Sequence, residues 1–202
     1  MRRAIVRAEL LQLRDRLRAA TSGRDLLDRK REALVRAIVD RDARLAERRR
    51  AATEQLREAR ASLVRAQLAL GRARVDAASA AQPPAIDVHV AAVTIVGVRA
   101  PRALAYDAAF APQYGDASGS SALTQAGRAF VAAIGPLAAL AADETAVQRL
   151  RLALARTARR LNALDQQVIP EIQRDIRQIG ASLEEEERDD AVRRKLWLAK
   201  QD

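Results

Sequence analysis

The chain reads as a mainly α protein: two very long helices forming an antiparallel coiled coil, with a small β-hairpin insert between them. Three observations predict this. Aromatic residues make up only 2% of the 202 residues, too few for the core of an ordinary mixed domain, while the helix formers Ala, Leu, Arg and Glu dominate. Apolar residues recur at coiled-coil spacing in two separate segments. Between those segments, prolines, glycines and β-branched residues change the pattern.

The first helix is predicted from about Ala8 to Arg74, inside an N-terminal region 1–80. Ala52, Leu56, Ala59, Leu63, Ala66, Leu70 and Ala73 alternate in steps of four and three, the seam of a coiled coil. Small residues alternating with large ones let a partner helix approach closely. Leu27, Leu34, Ile38 and Leu45 extend the stripe upstream, but Arg41 and Arg48 stand where apolar seam residues are expected. Those breaks mark a loose or partner-covered stretch.

The second helix is predicted from about Leu123 to Ala199, within a C-terminal region 123–202. Leu140, Val147, Leu154, Leu161 and Val168 recur every seven residues, with Leu150 and Leu164 between them. Ile172, Ile176, Ile179 and Leu183 carry the stripe on, but successive steps of four shift its phase near Pro170. A proline inside a helix removes one hydrogen bond and crowds the preceding turn, so a kink is expected at Pro170. Two shorter helices separated at Ile169 are the alternative. Each long segment spans about 100 Å at 1.5 Å per residue. Antiparallel pairing covers both stripes within one chain, which predicts an extended rod.

The insert occupies region 81–122. Gln82-Pro83-Pro84 ends the first helix. IDVHV (86–90) alternates apolar and polar residues and VTIVGV (93–98) is β-branched, so both read as strands. Without an Asn-Gly pair the point of reversal stays open. A polar, Gly- and Ser-rich stretch (111–121) reads as a mobile connector. The hairpin is expected at the far end of the paired helices.

The formal net charge of +10 is concentrated: residues 1–75 hold 21 Lys/Arg against 10 Asp/Glu, whereas residues 137–202 hold 12 of each. A basic helix suits a partner-facing surface, and a basic coiled coil that binds nucleic acid or acts as a scaffold is the alternative function. With no cysteine, disulfides and thiolate metal sites are excluded. No run of 18 apolar residues occurs, so no membrane-spanning helix is expected. Glu9, Arg14, Asp15 and Arg16 interrupt any signal-peptide core, so a cytoplasmic location is expected.

Catalytic and cofactor signals are lacking. His89, the single histidine, falls on the polar face of a predicted strand and has no cysteine or carboxylate cluster to share a metal with. Glu184 to Glu187, with Asp189 and Asp190, precede Arg193, Arg194 and Lys195, a pattern of i to i+4 pairing on an exposed face. No P-loop, nucleotide fingerprint or nucleophile motif is present. The expectation is a protein that is not an enzyme and holds no cofactor or metal.

Three local stretches resemble the D-subunit family of V/A-type rotary ATPases. LLQLRDRLRAATSGRDLLDRKREAL (10–34) is similar to that family's opening, with Gly23, Leu26, Leu27, Lys30 and Arg31 at its distinctive places. IVGVRAP (95–101), with Gly97 and Pro101, resembles its insert, and ARRLNALDQQVIPEI (158–172) is the most specific of the three. The chain departs from the family at Gly23-Arg24, where relatives have Gly-His, and at Ala191 and Val192, where relatives place aromatic residues.

The resemblance implies a non-catalytic central-stalk rotor of a membrane-bound complex. It would couple the catalytic A and B subunits to rotation of a membrane ring, whether protons or sodium ions cross, without entering the membrane or binding nucleic acid. The F subunit and the socket-forming C subunit above the ring are its other implied partners. Gly23, Arg24, Lys30, Arg31, Gly97, Pro101, Arg194, Lys195 and Trp197 are the partner-contact candidates. Gly23 is also a candidate for close packing against a neighbouring helix. The apolar tip around Trp197 is implied to sit in the sleeve of A and B subunits; closing the coiled coil is its simpler alternative role.

Overall fold

A long run of strong helix formers ends where the backbone needs a left-handed residue. The computed structural model describes residues 2–81, 87–107 and 121–198. In chain order these form α1 (Arg2–Leu70), α2 (Arg72–Ala81), β1 (Asp87–Ile95), β2 (Val98–Asp107), α3 (Ser121–Ala163), one π-helical turn (Leu164–Val168) and α4 (Ile169–Leu198). Two very long helical segments with an antiparallel hairpin between them are the architecture the sequence predicts. The second segment is not split at Ile169, because the π turn joins α3 to α4 directly. Pro83, Pro84 and the connector 111–120 lie outside the described residues.

The chain divides into two compact units, Met1–Glu32 with Leu154–Asp202, and Ala33–Ala153. In the second unit the alanine seam is real. Ala52, Ala59 and Ala66 are fully buried, as are Leu34 and Leu150. Arg151 donates to Asp42 at 2.7 Å, Arg49 to Glu144 at 2.6 Å, and Arg48 pairs with Asp143. Partners on α3 therefore descend as those on α1 rise, which is the antiparallel arrangement. At the seam break, Arg48 is exposed and pairs with an acid of the same chain. Exposed ion pairs of this kind are worth about 0–1 kcal/mol each, so they specify register more than they stabilise.

The first helix stops earlier than the stripe implies. Gly71 has φ +82°, a conformation open to glycine, and its N–H donates to the Gln67 carbonyl at 2.9 Å as a left-handed cap. The helix axis is reset there, so Ala73, expected on the seam, is exposed. Val75 turns inward instead and packs with Ala66, Leu123 and Ala126. In α3 a second interior proline, Pro136, passes without ending the helix. The proline removes the bond that Ala132's carbonyl would have accepted.

The hairpin reverses at Val96-Gly97, with Ile95 opposite Val98. DVHV and VTI thus belong to one strand, and the two strands read from the sequence must be redrawn as β1 and β2; Ile86 lies outside the described residues. Both turn residues have positive φ, 51° at Val96 and 73° at Gly97, as a two-residue type I′ turn requires. A β-branched residue there is strained by about 1–2 kcal/mol. Replacing Val96 by Asn should raise stability by about 1 kcal/mol, measured as an upward shift of the thermal midpoint. A lower midpoint would mean that the half-buried valine side chain outweighs the strain.

The inward face of the hairpin carries Val93 and the fully buried Ala100, paired across the strands. Val88 and Val90, expected on that face, are exposed, because they stand an odd number of residues from Val93 and so point to the other side of the strand. Arg149 of α3 donates to the Arg99 carbonyl at 3.0 Å. That contact lies some 28 residues, or about 40 Å, along α3 from its start at Ser121. The hairpin therefore doubles back beside α3; it does not cap the far end of the paired helices.

One expectation about apolarity also changes. By length and composition Ser121–Trp197 contains a stretch apolar enough to cross a membrane, although no unbroken apolar run is present. The stretch owes its character to the uncharged, alanine-rich residues 129–142 of α3.

Candidate functional site

The first and third resembling motifs meet in the unit that holds both chain ends, and the second lies in the other unit. In the unit that holds both chain ends, α1 brings Arg24 against the π turn that lies inside the third motif. Arg24 Nε donates to Asp165 Oδ1 at 3.0 Å, and its guanidinium reaches Asp25 at 3.2 Å. These contacts raise the Arg24 pKa, the Asp165 hydrogen bond contributing most and the Asp25 bond next. Arg7 and Glu187 form a second pair within the same unit, at 2.6 Å. Residue numbers again fall on one helix as they rise on the other.

Downstream, the π turn carries the phase shift seen in the sequence. Ile169 N–H bonds to the Leu164 carbonyl, five residues back, in place of the usual four. Leu161 is buried, but Val168, seven residues on, is 38% exposed, whereas Ile169 and Pro170 are half-buried. Val168 is therefore not a seam residue; the additional residue of the turn hands that place to Ile169. Pro170 follows the π turn inside one continuous helical segment, where it has no N–H to give to a carbonyl of the turn. The helix distortion at this point is the π turn Leu164–Val168 itself, and Pro170 follows it.

The other candidates have local surroundings of their own. A Cβ at Gly23 would meet nothing within 4 Å, so close packing within the chain does not explain this glycine. Lys30 is exposed, and Arg31 pairs with Asp28 one turn earlier at 2.7 Å. Gly97 forms the hairpin turn, and Pro101 stands opposite Ala92 on β2. Arg194 Nε donates to the Asp190 carbonyl at 3.2 Å, and Lys195 is exposed. Trp197 is 62% exposed, beside exposed Leu196 and Val192, so this tip does not close the coiled coil of its own chain. His89 is exposed, and no cluster of three metal-ligating side chains occurs among the described residues.

The family model for the D subunit of ATP synthase matches residues 9–199. The chain belongs to the ATP synthase D-subunit family. Among curated relatives it is 36% identical to the A-type ATP synthase D subunit of Methanopyrus kandleri, over 94% of this chain and 82% of that protein. It is also 36% identical to the V-type ATP synthase D subunit of Thermus thermophilus, over 94% of this chain and 84% of the relative. The A-type D subunit of Pyrococcus furiosus is 30% identical over 94% of this chain and 90% of its own length. Family membership thus covers all three motifs. Sequence reasoning missed Asp165 as the partner of Arg24, and it missed Gly71 and Pro136. A signal for the π turn existed: the heptad set Leu154 and Leu161 is one residue out of step with Ile169, Ile176 and Leu183.

Proposed function

We propose that this chain is the central-stalk rotor of a V/A-type ATP synthase, turning inside a catalytic head and coupling ATP hydrolysis or synthesis to ion movement through a membrane ring. The observation that carries this reading is the family match across residues 9–199, which takes in all three motifs. The chain supplies no catalytic group. Its role is mechanical: paired helices stiff enough to carry torque, with an uneven surface that favours a different conformation in each catalytic site.

The A and B subunits would surround the unit containing both chain ends, where exposed Val192, Leu196 and Trp197 offer apolar contacts and Arg194 and Lys195 offer charge. The F subunit and the socket-forming C subunit would take the hairpin-bearing unit. The protein would then be peripheral to the membrane on the cytoplasmic side. A nucleic-acid role loses support from the ion pairs, since Arg7, Arg24, Arg48 and Arg49 of the basic helix engage acids on the second helical segment. A phosphate-binding stripe would need those cations turned outward.

Co-expression with the A, B and F subunits, followed by a rotation assay with a bead on this chain, tests the reading. The expected result is ATP-driven rotation of the bead and one copy of this chain per copy of F. ATP hydrolysis in an assembled complex whose bead stays still, or a stable homodimer that ignores F, would sink it.

A further inference from the structure

The second helical segment carries two heptad registers that do not match. Upstream, inward positions fall at Leu154 and Leu161 and at Thr157 and Leu164; Thr157 and Leu161 are buried. Downstream they fall at Ile169, Ile176 and Leu183 and at Ile172 and Ile179; Leu183 is buried and the four isoleucines are half-buried. Each set keeps a strict seven-residue repeat, yet the second lies one residue later than the first would place it. In an uninterrupted α-helix one residue is about 100° of rotation, enough to turn the isoleucine stripe out of the seam. The π turn at Leu164–Val168 takes up one residue and restores the facing.

We propose that Leu164–Val168 is a phase joint: a one-residue offset built into the second helix, held closed by Arg24 on Asp165. The latch position fits this role. Asp165 is the second residue of the turn, and its carboxylate is gripped across the unit by a guanidinium of α1. A π turn interrupts the regular i→i−4 ladder and is one of the few features at which a helix bends, so a bend between α3 and α4 belongs here. Under the rotor reading the joint sets where the axle curves. A stationary scaffold of the same sequence would carry the same joint, so the tests below read the joint and not rotation.

Deleting Gln167 removes the surplus residue and should let α3 run into α4 as a regular helix with every inward residue retained. The expected result is a thermal midpoint at or above that of the parent chain. Deleting Arg177, which lies between Ile176 and Ile179, shifts Ile179 and Leu183 out of the seam with nothing to absorb the change, and should lower the midpoint clearly. If loss of Gln167 is as damaging as loss of Arg177, or prevents folding, the joint does not exist as described. The latch is read by amide exchange. Arg24→Gln should speed exchange at residues 165–169 by about fivefold or more, and the swap Arg24→Asp with Asp165→Arg should restore it. Arg18→Gln, which breaks only a pair with Asp15 on the same helix, should leave those amides unchanged. Exchange that is the same in Arg24→Gln and Arg18→Gln overturns the latch.

Discussion

Leu150→Ala should lower the stability of the protein by about 3 kcal/mol, the largest loss expected from any single truncation. Leu150 and Leu34 are the largest side chains with essentially no exposure, and both lie in the unit Ala33–Ala153. Removing buried methylenes loses their transfer free energy and leaves a cavity, and a pair of long helices can relax into it only by bending. In urea unfolding followed by helicity, the midpoint should fall by roughly 1 M with the slope unchanged. Leu152→Ala is the matched control, because Leu152 is 52% exposed on the opposite face. Equal midpoints for the two variants would show that the seam does not govern stability in this unit.

Ala66→Leu should be nearly as damaging for the opposite reason. Ala66 is fully buried in a cluster with Val75, Leu123 and Ala126, where α1, α2 and α3 come together. Three added carbons have no space between helices that close, and overpacking of this kind typically costs about 1–3 kcal/mol. The break at Gly71 sharpens the effect, since α2 is held against this cluster through Val75. Ala69→Leu, at an exposed position three residues on, should change stability little and raise helix propensity no further than alanine does. The same unfolding measurement decides. An Ala66→Leu midpoint matching that of Ala69→Leu would mean that the helices part at no cost.

Periodicity made the long helices legible because a repeat sustained over many turns leaves few alternatives. The same property made Ala52, Ala59 and Ala66 readable as buried. Single residues that interrupt the repeat were harder. Gly71 ends α1 through a left-handed φ, which the letter G permits but does not demand. The hairpin turn escaped because Val96 occupies a place where Asn is usual, and no propensity argument puts valine there. Arg48 looked like a fault in the seam until Asp143 was brought beside it, a pairing set by three-dimensional register.

The candidate site divides along the same line. The motif at 158–172 could be read as a place where phase shifts, but a proline is a louder signal than a surplus residue. The proline at 170 therefore stands out in the sequence, while the π turn beside it at Leu164–Val168 has no letter of its own. Arg24 could be named as a candidate, but its role depends on Asp165, which is 141 residues distant in the chain. At Gly23 an added Cβ would touch nothing within this chain.

The hairpin is anchored to α3 by a side chain on one partner and a main-chain oxygen on the other, Arg149 to the carbonyl of Arg99. Every amino acid offers that same oxygen. A substitution at position 99 leaves that acceptor in place while the strand persists, whereas a substitution of Arg149 by a short side chain removes the donor. Two arginines that look alike in the sequence thus differ in what their loss would undo.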